Sequence, residues 1–144
     1  MFKNFFSKNE EKNEEKNEDH KNILITALMI HAAKIDNNYT NDEKKIITRA
    51  LLSLTKLPID RVKAIVEIAE KKELESNQII EFTKEIKKET MEYRLKILEL
   101  LWQIIYSDGT ADLYEANLIR RICGLLYISD KDSGIIKSKL KKYH

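Results

Sequence analysis

Three carboxylates fall within eight residues in the stretch Tyr106-Ser107-Asp108-Gly109-Thr110-Ala111-Asp112-Leu113-Tyr114-Glu115. Carboxylate oxygens at this density can ligate a hard cation such as Mg2+ or Ca2+. The spacing is not that of the twelve-residue calcium loop, which needs alternating oxygen donors and a terminal glutamate. A second chemistry uses the same residues. Asp112 followed three positions later by Glu115 has the spacing of a capping box, in which each carboxylate takes up a backbone N–H left over at a helix start. Asp108 resists that explanation, because a negative charge in the last turn of a helix opposes the dipole unless a cation or a neighbouring arginine holds it.

The pattern occurs a second time, 72 residues earlier, in Asp36-Asn37-Asn38-Tyr39-Thr40-Asn41-Asp42-Glu43. Asp36 falls on Asp108, Asn37 on Gly109, Thr40 on Asp112 and Glu43 on Glu115, and each exchange keeps a physical role: Asn and Gly both tolerate the left-handed conformation, Thr and Asp both cap helices. Ile25 and Ile97, Leu28 and Leu100, Ile47 and Ile119, and Leu54 and Leu126 stand at the same offset. This reads as an internal duplication. The corners read either as pairs of helix caps or as a metal site; in the second case the candidate ligands are Asp36, Glu43, Asp108, Asp112 and Glu115, with the first copy the weaker because Thr40 stands where the second copy has a carboxylate.

Such corners need helices on both sides. Leu98, Leu101, Trp102 and Ile105 precede the second corner at helical spacing, and Leu118, Ile119, Ile122, Leu125 and Leu126 follow it. Around the first, Leu24, Ala27, Leu28, His31 and Ile35 form one apolar face, and Ile47, Ala50, Leu51 and Leu54 the next. Pro58 is placed to open a third helix, Ser76-Asn77 a fourth, Thr90 a fifth that runs into Asp108, and Ser129 a seventh. The predicted fold is all-α, about seven helices in a compact bundle, with helices one to three related to helices five to seven.

With only three Gly and one Pro in 144 residues, a turn-rich β fold is disfavoured. A net charge of +2, from 26 basic and 24 acidic side chains, gives no reason to expect a nucleic-acid partner. The single cysteine, Cys123, excludes an internal disulfide and is expected to pack in the core, as are Trp102 and, at its edge, His31. The lysines of the seventh helix suit the negative end of its dipole. Residues 1–20 read as a charged, disordered tail ahead of a domain over 21–144, because Lys-Asn-Glu-Glu repeats with a period of four and stacks like charges. The absence of a long apolar run predicts a cytoplasmic protein, with Phe2, Phe5 and Phe6 offering a peripheral membrane or partner contact.

The segments Leu101-Trp102, Tyr106-Ser107-Asp108-Gly109, Asp112-Leu113-Tyr114-Glu115 and Leu118-Ile119-Arg120-Arg121-Ile122 resemble the C-terminal signature of the TerB-like tellurite-resistance family, over about residues 22 to 142. The resemblance implies a helical domain shared with a DnaJ-like membrane co-chaperone, a role in stress resistance, and acidic loops proposed to hold a metal ion. On it rest two expectations: a non-enzymatic stress-resistance domain binding Ca2+ or Mg2+, and a co-chaperone-like adaptor for a protein partner. A metal-dependent hydrolase is the weakest reading, since no Gly-rich phosphate loop, no Ser/His/Asp set and no histidine near the carboxylates is present.

Overall fold

A computed structural model describes residues 2–35, 39–108 and 113–141, with side chains described from Lys16 onward except those of Asp108 and Lys141. The described residues form seven α-helices and no strand: α1 (Phe2–Ala33), α2 (Asn41–Thr55), α3 (Ile59–Glu75), α4 (Ile80–Ile86), α5 (Met91–Ile105), α6 (Leu113–Leu125) and α7 (Asp130–Lys141). A 3-10 turn, Tyr106–Asp108, follows α5, so the fifth helix stops three residues short of where the sequence places its end.

The core is built around one helix. Every residue of α1 from Leu24 to Ile30 is buried, and Ala32 and Ala33 with them. The sequence predicts one apolar face; instead α1 is enclosed on all sides, packing against α2, α3, α4 and α5. The one hydroxyl in that run, on Thr26, donates to the Asn22 carbonyl at 2.7 Å and so needs no partner from another helix. Around it close Ile47 of α2, Phe82 and Ile86 of α4, Ile97, Leu98 and Leu101 of α5, and Ile119 and Ile122 of α6. Cys123 and Trp102 lie in this core as expected. The Trp102 ring stacks on Tyr106 at 5.5 Å between centroids, and its indole N–H donates to Ser133 Oγ at 3.3 Å, which ties α5 to α7.

The predicted helix starts at Thr40, Thr90 and Ser129 all carry side-chain caps: their oxygens accept from the backbone N–H of Glu43, Tyr93 and Asp132. Pro58 is the N-cap of α3. The fourth helix begins later than Ser76-Asn77 implies, at Ile80 after an uncapped Ile79, because burial of Ile79, Phe82 and Ile86 fixes it rather than a polar cap.

The backbone of α1 is helical from Phe2, through the charged run that the sequence reads as a tail ahead of the domain. The buried segment 24–33 already supplies the costly first turn, so extension toward the N-terminus needs only propagation, and Lys and Glu propagate well. Like-charge neighbours cost a few tenths of a kcal/mol each, too little to stop it. The run is also tied down at its end, where Asp19 Oδ1 accepts from Arg61 of α3 at 2.6 Å. Lys21 bridges to Glu89 at 3.3 Å. No described helix is long and apolar enough to cross a membrane.

Two left-handed residues end helices without help from glycine: Lys56 (φ 59°) after α2 and Tyr127 (φ 56°) after α6. A side chain in this conformation costs about 1 kcal/mol or more relative to glycine. Replacing the exposed Lys56 by Gly should therefore raise stability by up to about 1 kcal/mol, seen as a thermal midpoint roughly 3 °C higher. Burial holds the Tyr93 phenol above its ordinary 10.0, and burial with the nearby Glu70 does the same for Tyr39. Each stays protonated in the folded chain where the unfolded chain ionises, so unfolding releases protons and stability falls as pH rises above about 10. Denaturant titrations between pH 9 and 11 should show that decline, and Tyr39→Phe should make it shallower.

Candidate acidic corner

The carboxyl-terminal ends of α1 and α5 and the amino-terminal ends of α2 and α6 enclose a cavity of about 250 Å3. Ala32 and Ala33 come from α1, Thr40, Asp42, Glu43 and Ile46 from the start of α2, Ile104 and Ile105 from α5, Ser107 from the 3-10 turn and Glu115 from α6. Three pairs in that lining, Ala32 with Ile104, Ala33 with Ile105 and Glu43 with Glu115, stand 72 positions apart, the offset at which the sequence repeats.

Of the five carboxylates expected as ligands, the structure brings Glu43 and Glu115 to this one cavity. Asp36 and Asp112 lie outside the described residues, as does Gly109, and Asp108 is described only by its backbone in the 3-10 turn. Among the described residues no group of three His, Cys, Asp or Glu side chains is placed to hold a metal. The sequence reading passed over two oxygen donors in the lining, Asp42 and Ser107. At the repeat offset Asp42 falls on Tyr114 and Ser107 on Ile35, so a search for acids common to both copies could not find them.

Glu43 closes a capping box with Thr40: Thr40 Oγ1 accepts from the Glu43 N–H at 3.1 Å, and Glu43 Oε1 lies 3.3 Å from the Thr40 N–H and 3.1 Å from its hydroxyl. Capping thus occupies one oxygen of Glu43. Glu115, in the first turn of α6, is only 7% exposed. Both carboxylates sit at the positive end of a helix dipole, which supports two negative charges in one small space.

Beside the corner, a charged network braces the first turn. Glu73 of α3 receives Lys34 Nζ at 2.6 Å and meets His31 Nδ1 at 3.2 Å, and Lys44 of α2 reaches Glu70 at 2.7 Å. Lys34 also stands 5.8 Å from the centre of the Tyr39 ring. His31 is accordingly a core-edge residue held by a carboxylate, as its position on α1 suggests.

This arrangement of two acidic helix–turn–helix corners, preceded by helices rich in Leu and Ile, agrees with the family profile of tellurite resistance protein TerB, which matches residues 22–138. The chain belongs to the TerB family. No curated protein and no solved structure gives a significant match. The TerB match begins at Asn22, so it spans the buried part of α1 and leaves the charged part outside.

The capping box makes Thr40 a separable contributor to this TerB corner. Thr40→Ala should cost about 1 kcal/mol, measured by denaturant unfolding, while Thr40→Ser should cost much less because the capping oxygen is kept.

Proposed function

We propose that this TerB domain is a non-enzymatic stress-resistance module that binds a hard divalent cation, Ca2+ or Mg2+, between its two acidic corners. The observation that carries the reading is that Glu43 and Glu115, equivalent in the two halves of the sequence, line the same cavity. Its polar lining, Thr40, Asp42, Glu43, Ser107 and Glu115, offers oxygen alone, the donor type these cations prefer over zinc. Two carboxylates in so small a space repel, and a cation between them offsets that repulsion. In this reading Asp36, Asp108 and Asp112 are the further ligands that the sequence offers, and the positive ends of the α2 and α6 dipoles favour negative charge at the cavity.

The test is the thermal midpoint of the metal-stripped protein with Ca2+, Mg2+, Mn2+ and Zn2+ in turn. A cation at about a hundred times its dissociation constant should add roughly 2.7 kcal/mol. For a domain of this size that moves the midpoint by several degrees. Ca2+ or Mg2+ should produce the shift in the native protein and not in Glu43→Gln or Glu115→Gln. No shift with any ion, or a shift that both variants retain, would leave these residues as helix caps alone.

A further inference from the structure

A second concave surface, between α2 and α3, shares no lining residue with the acidic cavity. It encloses about 660 Å3 over an apolar floor of Leu52, Ile59 and Val66, and its rim carries four cations, Lys44, Lys45, Arg49 and Lys63, against one acid, Glu67. Ion pairing and the helix dipole account for only one of these cations. Lys44 bridges to Glu70 at 2.7 Å. Lys45, Arg49 and Lys63 are exposed and form no ion pair with a described residue. None of the three stands in the last turn of its helix, where the dipole would favour positive charge. In a chain whose charges nearly cancel, this concentration of unpaired cations around an apolar floor calls for an occupant that carries carboxylates beside apolar side chains.

The shape of the groove narrows the choice further. On α2 its lining runs from Asn41 through Lys45 and Arg49 to Leu52 in steps of three and one, a single stripe about 16 Å long. The buried residues Ile47 and Leu51 belong to a different stripe, so the groove is an outward surface. The Lys44–Glu70 bridge joins the start of α2 to the end of α3, and residues 56–58 link their other ends, so the two helices run antiparallel. Lys63 therefore looks across at the wall that carries Lys45 and Arg49, and Ile59, 44% exposed, lies at the linked end beside Leu52. A helix of about three turns, apolar along one side and acidic at the edges of that side, covers the floor and meets the rim at once. Nucleic-acid phosphates or a small inorganic anion would meet the cations and leave the floor in water, and a bilayer surface is too flat to enter the groove.

We propose that the α2–α3 groove docks an acidic amphipathic helix of a partner protein, with its apolar stripe on Leu52, Ile59 and Val66 and its carboxylates on Lys45, Arg49 and Lys63. Since the groove and the acidic corner share no residue, docking needs no cation in the corner.

Fluorescence anisotropy of a labelled, end-capped peptide of about sixteen residues, with leucine at every third or fourth position and glutamate elsewhere, tests this on the full chain. With a chelator present, saturable micromolar binding is expected, at least about tenfold weaker at roughly 500 than at 20 mM salt. A peptide of the same composition with its leucines spread around the helix, and one with lysine in place of glutamate, should each bind at least about tenfold more weakly. Lys45→Ala/Lys63→Ala and Ile59→Gln, each checked for unchanged helicity by circular dichroism, should each weaken the acidic peptide several-fold. Should either lose helicity, Arg49→Gln takes its place and must weaken binding in the same way. No binding of the acidic peptide, equal binding of either control peptide, or binding that the groove variants leave unchanged would overturn the proposal. So would tighter binding, lost in the same variants, of a single-stranded RNA oligonucleotide or of phosphatidylglycerol vesicles, because the cations would then serve phosphates.

Discussion

Enclosure of α1 is the constraint on which the rest of the TerB domain depends. A helix segment buried at every residue from Leu24 to Ile30 must present apolar atoms in every direction, and the run Leu-Ile-Thr-Ala-Leu-Met-Ile does so with one polar side chain, satisfied within its own helix. Each large side chain taken fully out of water is worth about 1.5–3 kcal/mol. Four other helices gain that burial only by arranging themselves around this segment. The α-helix is the form that allows it, since its backbone hydrogen bonds are satisfied internally and need no neighbour.

The acidic corner follows from the same arrangement. The ends of α1 and α5 contribute Ala32, Ala33, Ile104 and Ile105 to one small space, and the helices that follow each of them start there too. Two helix N-termini then face one volume, and capping chemistry alone would place a carboxylate in the first turn of each. Capping and cation binding call for the same geometry, a carboxylate in the first turn of each helix. Three pairs of the lining stand at the 72-residue offset.

Charge is arranged with similar economy. Lys34 meets Glu73 beside His31, Lys44 meets Glu70, and Arg61 meets Asp19, so these three cations tie helices together. Arg94 extends the pattern to backbone, donating to the Leu126 carbonyl at 2.6 Å just beyond the end of α6, where an arginine also complements the dipole.

The helical class, the starts of α2, α3, α5 and α7, and the core places of Trp102 and Cys123 were legible in the sequence, because capping chemistry and apolar spacing act over four or fewer residues. Only the tertiary structure decided that α1 is central rather than one-sided, since a continuous apolar run looks alike in a half-buried and an enclosed helix. The helical backbone of residues 2–20 is continuous with that helix, where a buried segment downstream meets the cost of nucleation and like-charge neighbours along the run oppose it. Asp42 and Ser107 joined the corner unannounced, and Lys45, Arg49 and Lys63 gathered at one groove from two helices. Convergence of residues on different helices depends on how those helices pack, which no window along the chain contains.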